Sequence, residues 1–112
     1  MKTKVSEKYN AVIIELKGDV MGGDDTKEFN ELLHKLIDEG KKNIVVDLGD
    51  VKFMNSSGLG MLISGLTTVK KAEGSLKLAR VGEKIQSLLI ITKLIQIFES
   101  FESVDDAVKS FS

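Results

Sequence analysis

The chain reads as an α/β domain with a mixed, mostly parallel sheet of four to five strands and about four helices. Three observations predict it: a β-branched hairpin opens the chain, strand patterns then alternate with helical ones, and residues 43–48 are apolar on both faces until Asp47. At 112 residues the length fits a single domain spanning 1–112, able to bury roughly two thirds of its unfolded surface.

Residues 5–9 read as an edge strand, and residues 11–16 form a second strand that ends at Gly18, the pair joined as a hairpin through Asn10. Residues 19–23 follow as a loop with two adjacent glycines. Asp25 with Glu28 three residues on resembles a capping box opening a helix. That helix carries Phe29, Leu32, Leu33, Leu36 and Ile37 on one face and closes at Gly40. Residues 43–48 are then the central strand. A second helix begins at the serines: Leu59, Leu62, Ile63, Leu66 and Val69 fall near one face, with Lys70 and Lys71 in its last turn and Gly74 beyond. Residues 76–79 read as a strand, 83–92 as a third helix, 95–98 as a short strand and 104–111 as a terminal helix.

The composition, 42% hydrophobic and 29% charged with a net charge of −1, is too apolar for general disorder and too evenly charged for an electrostatic nucleic-acid binder. No nucleic-acid partner is expected. The absence of cysteine excludes thiolate metal sites and cysteine nucleophiles, and one histidine excludes a multi-histidine metal site. The longest aliphatic run, residues 88–91, falls far short of the roughly 20 residues a membrane span needs. A soluble, cytoplasmic protein without membrane insertion is expected.

Chemistry concentrates where the central strand hands over to the second helix, at Asn55, Ser56, Ser57, Gly58, Leu59 and Gly60. The first amides of a helix lack intrahelical acceptors and the dipole is positive there, so an anion or a phosphorylated serine is favoured. A nucleophile elbow is excluded by spacing, because Met54 and Asn55 precede Ser56 where a glycine is needed and the base would have to be His34, opposite the apolar stripe of the first helix. A dinucleotide fingerprint would need glycine at Ile63, and the Gly-Lys-Ser/Thr of a P-loop is missing. No cofactor and no enzymatic activity are expected. Two readings stay open on spacing alone: a phosphorylatable serine, or Asn55 or Ser57 acting only as a helix cap while the glycines permit close packing.

The segment 53–60, Phe-Met-Asn-Ser-Ser-Gly-Leu-Gly, preceded by the apolar strand and Asp47-Leu48, resembles the signature of anti-sigma-factor antagonists of the STAS domain family, in which an apolar strand and Asp-Leu lead to Asp-Ser-Ser/Thr-Gly-Leu-Gly. The resemblance extends over essentially the whole chain. It implies a non-enzymatic partner switch: the unmodified antagonist binds an anti-sigma factor that is also a serine kinase, the kinase phosphorylates the motif serine to end binding, and a PP2C-type phosphatase reverses it. By motif position the phosphoacceptor is Ser56, with Ser57 beside it. The implied partner surface takes in Asp19, Met21, Asp24 and Asp25 of the loop, the turn from Asn55 to Gly60, and the exposed face of the second helix. Asn55 and Met21 stand where the family commonly has aspartate, which removes negative charge near the serine. A monomer or weak homodimer is expected. The alternatives are an unphosphorylated STAS scaffold subunit of a signalling or transport assembly, and a module sensing a nucleotide or other anion at the helix start.

Overall fold

The computed structural model describes residues 1–111, so the expected domain limit at Ser112 lies outside them. Strand β1 (Lys2–Lys8) and β2 (Ala11–Val20) pair antiparallel, with Val5 opposite Ile14. Tyr9 makes the turn with a left-handed φ of 56°. Helix α1 (Asp24–Asp38), β3 (Asn43–Met54), α2 (Ser56–Lys71), β4 (Ser75–Ala79) and α3 (Glu83–Ile91) follow in alternation. A 3-10 turn (Leu94–Gln96), β5 (Ser100–Phe101) and α4 (Val104–Lys109) complete the described chain.

The five strands lie in the order β1-β2-β3-β4-β5, and every pair after the hairpin is parallel. The expected mixed, mostly parallel sheet is thus observed, with β3 at its centre. Strand alternation splits the apolar residues between two faces. Val12, Ile14 and Leu16 of β2, Ile44, Val46 and Leu48 of β3, and Leu76 and Leu78 of β4 pack into one cluster with Phe29 and Leu33 of α1, Leu62 and Leu66 of α2, and Ile85 and Leu89 of α3. At about 1.5–3 kcal/mol for each fully buried aliphatic side chain, this layer supplies most of the driving force. The other face is thin: Ala11, Val45 and Ala79 cluster with Ala107 and Val108 of α4, with Ile13, Phe101, Val104 and Phe111 at the margin. Gly65 lets α1 and α2 come close, since a Cβ there would sit 2.7 Å from the Phe29 ring.

Three local expectations need correcting. Asp19 and Val20 belong to β2, which runs past Gly18 because its pairing with β3 continues to Val20 opposite Met54. The capping box does not form: α1 starts two residues earlier than that box requires, at Asp24, and is capped by Gly23 without any side-chain hydrogen bond, its first turn closed by Thr26 N–H donating to the Gly23 carbonyl at 3.0 Å. Residues 95–98 are not a strand. Lys93, with φ 63°, stops α3, and the tight turn that follows half-buries Leu94 and Ile95 and buries Phe98 against the main core; pairing with β4 begins only at Ser100.

Candidate functional site

β4 ends at Ala79, opposite Asp47, but β3 continues to Met54 with β2 as its only strand partner among the described residues. This arm carries the serine turn. Along it β2 advances from Glu15 to Lys17 while β3 advances from Asp47 to Asp50, an extra residue that bends the arm. The buried Asp47 carboxylate holds the bend: it accepts from Gly49 N–H at 2.9 Å and from the Arg80 guanidinium at 3.2 Å. Arg80 sits just past β4 with φ 56° and reaches Asp50 at 3.9 Å. Its guanidinium lies flat over Gly49, where an added Cβ would fall 2.2 Å from Cζ. Nothing in the chain order signals this contact, because Arg80 lies 33 residues from Asp47.

At the end of the arm Asn55 is extended and caps α2, its Oδ1 accepting from Gly58 N–H at 2.8 Å, while its carbonyl takes Leu59 N–H at 3.0 Å. The amides of Ser56 and Ser57, at the first two helical positions, have no intrahelical acceptor. Both serines are exposed, and neither hydroxyl makes a hydrogen bond among the described residues. Asparagine therefore does the capping that an aspartate would do, without its charge.

Two close backbone approaches fix the turn. A Cβ on Gly58 would lie 2.1 Å from the Val20 carbonyl oxygen, so α2 begins directly on the end of β2. A Cβ on Gly22, whose φ is 80°, would lie 2.6 Å from Ser57 Cβ, so the loop after β2 packs against the second serine. The structure thus brings Met21 and Gly22 to the serine turn, and Asp19 sits opposite Phe53 on the arm. Met21 and Phe53 are 46% and 50% exposed, apolar side chains on the two chain segments that flank the turn. Phe53 was not among the expected contact residues, and its sequence signal was the motif that contains it. Asp24 is exposed in the first turn of α1, whereas Asp25 is partly buried, 3.8 Å from the Met1 amino group. Gly58 and Leu59 are buried and shape the surface from beneath, and Gly60 is exposed one turn after Ser56 with no atom near its absent Cβ.

His34 is exposed on α1, as its place opposite the apolar stripe predicts. Among the described residues no three His, Asp or Glu side chains gather where a metal ion could be held, and no helix is long and apolar enough to cross a membrane.

Fold and site together define a small α/β domain that displays an exposed serine turn at a helix start. The chain belongs to the STAS domain family, whose model matches residues 2–107. The anti-sigma-B factor antagonist of Bacillus subtilis (strain 168) is 31% identical over 97 residues, covering 85% of each chain. An anti-sigma factor antagonist from Mycobacterium paratuberculosis shares the fold with a TM-score of 0.82 at 19% identity, covering 97% of this chain and 92% of that one. The phosphorylated form of the Bacillus cell fate determinant SpoIIAA matches with a TM-score of 0.75 at 15% identity, over 99% of this chain and 100% of that one. At these identities the two solved structures speak to the fold, and the named relative is an anti-sigma factor antagonist.

Proposed function

We propose that this chain is a cytoplasmic, single-domain anti-sigma-factor antagonist that binds an anti-sigma factor with serine-kinase activity and is released when Ser56 is phosphorylated, a PP2C-type phosphatase restoring binding. The observation that carries the proposal is the state of Ser56: exposed, its hydroxyl unbonded, at the first position of α2. A phosphoryl group there adds about 1.5–2 negative charges that free amides and the helix dipole accommodate without disturbing the core. The same charge enters a surface bordered by the exposed Met21 and Phe53, where a partner would have to desolvate it. The switch therefore works by tolerating phosphate in the fold and rejecting it at the interface. The partner surface is formed by Asp19, Met21, Asp24 and Asp25 with Asn55, Ser56, Ser57 and Gly60, supported by Gly58 and Leu59.

The proposal is tested by incubating the protein with candidate anti-sigma kinases and ATP and mapping phosphate by mass spectrometry. Phosphate on Ser56, lost in Ser56→Ala and kept in Ser57→Ala, is the expected result. No phosphate with any kinase, together with undiminished partner binding by Ser56→Asp, would leave a constitutive scaffold in place of the switch.

A further inference from the structure

Beside the serine turn, between the arm of β3 and α3, runs a groove of 220 Å³ lined by Lys52, Phe53, Met54, Lys84, Ile85 and Leu88. Its lining combines four apolar side chains with two cations and contains no carboxylate. Neither Lys52 nor Lys84 has an ion-pair partner among the described residues. The apolar strip does not stop at the groove. Lys84, Leu88 and Ile91 stand at i, i+4 and i+7 of α3 and so share one helical face, and Ile91 is 78% exposed at its end. Phe53, half exposed, forms the opposite wall.

We infer that this groove docks an acidic amphipathic helix presented by a protein partner, with aliphatic side chains at i, i+3/i+4 and i+7 laid along Phe53, Leu88 and Ile91 and carboxylates beside Lys52 and Lys84. The charge of the lining selects this occupant. A helix with an apolar stripe fills an apolar trough between a strand and a helix, and its flanking carboxylates complement two cations that the chain itself leaves unpaired. A basic or neutral stripe would desolvate both lysines with nothing in return. A second copy of this chain is a poor fit, since it would bring the same two lysines to a shared patch. The inference does not depend on phosphorylation of Ser56: the groove is complete without it, and its occupant makes contact with the arm rather than with the serine.

The test titrates the 15N-labelled chain with three synthetic helical peptides that share one leucine register and carry Glu, Gln or Lys at the flanking positions, at two salt concentrations. The Glu peptide is expected to shift the amides of residues 52–54 and 84–91, to bind at least tenfold more tightly than the Gln peptide, and to weaken as salt rises. Lys52→Glu/Lys84→Glu, both surface changes, should abolish that preference and favour the Lys peptide, and Ile91→Ser should weaken the Glu peptide without altering the thermal midpoint. Binding indifferent to flanking charge, shifts mapping elsewhere, or no binding would overturn the inference. So would self-association of the chain abolished by Ile91→Ser, which assigns the strip to a second copy, or retention on phosphatidylglycerol vesicles through Lys52 and Lys84, which assigns it to a membrane surface.

Discussion

Gly58 and Gly60 lie two positions apart in one motif and do opposite things. Gly58 is required by its surroundings, because a methyl group would be driven into the Val20 carbonyl oxygen, so Gly58→Ala is expected to cost at least about 1–3 kcal/mol and to displace the start of α2. Gly60 meets no such obstacle in a helix interior, and Gly60→Ala should raise stability by about 0.8–1 kcal/mol. Urea unfolding of the two variants measures both signs, and a bulky residue at position 60 should weaken partner binding while leaving the fold intact. Asn55 is separable in the same way. Asn55→Ala removes the acceptor of Gly58 N–H and is expected to lose about 1 kcal/mol, whereas Asn55→Asp keeps it and gains roughly 0.3–1 kcal/mol from the helix dipole near neutral pH. The motif showed that some residue caps this helix, but the letters alone left Asn55 and Ser57 equal; the extended backbone at Asn55 decides between them.

At the scale of elements, the arm of β3 projects past β4 and needs something in place of a neighbouring strand. Arg80 fills that place, bonded to Asp47 and stacked on Gly49. Arg80→Ala leaves a buried carboxylate with a single backbone donor and is expected to cost about 1.5 kcal/mol, the lower end for a charged hydrogen bond because Arg80 is 44% exposed. Gly49→Ala attacks the same contact by displacing the guanidinium. The double variant should therefore cost less than the sum of the two, a non-additivity read from denaturation midpoints. None of this contact was legible in the sequence, where Asp47 reads as the polar end of an apolar strand and as part of the Asp-Leu of the motif. The strands and helices with clear periodicity, α1 and β3 above all, were legible because local pattern and burial agree there. Residues 95–98 misled because an apolar run satisfies a buried strand and a tight core-packed turn equally, and the left-handed Lys93 distinguishes them. Gly23 replaced the expected Asp25 cap because the loop after β2 had already turned to lie on Ser57.

Across the whole molecule the two faces of the sheet are unequally sealed. One carries three helices, while the other depends on α4, whose six residues cannot hold a helix without tertiary support. Ala107 and Val108 supply part of that support, and Lys77 adds to it, reaching Ser110 Oγ at 2.7 Å and lying 4.4 Å from the centre of the Phe111 ring. A surface tie joins the first strand to the same helix, where the Lys8 ammonium donates to the Asp105 carboxylate. That hydrogen bond holds the Asp105 carboxyl below its ordinary 3.8 and the Lys8 ammonium above its ordinary 10.5. A lowered carboxyl contributes stability that is present above 3.8 and lost as pH falls through the lowered value. A raised ammonium contributes stability that is present below 10.5 and lost as pH rises through the raised value. The tie therefore acts over the broad range between, and only there. Thermal midpoints of the wild type and Lys8→Met, followed against pH, should run apart across that range and converge at both extremes. Because both groups are exposed, the gap should be small and should shrink as salt is added. Amide exchange locates the loss: in Lys8→Met the extra opening should fall on α4 and the neighbouring β5, leaving α1, α2 and the serine turn as protected as before. Equal loosening of α2 would mean that α4 and the serine turn unfold together, and that the thin face of the sheet sets the stability of the proposed binding surface.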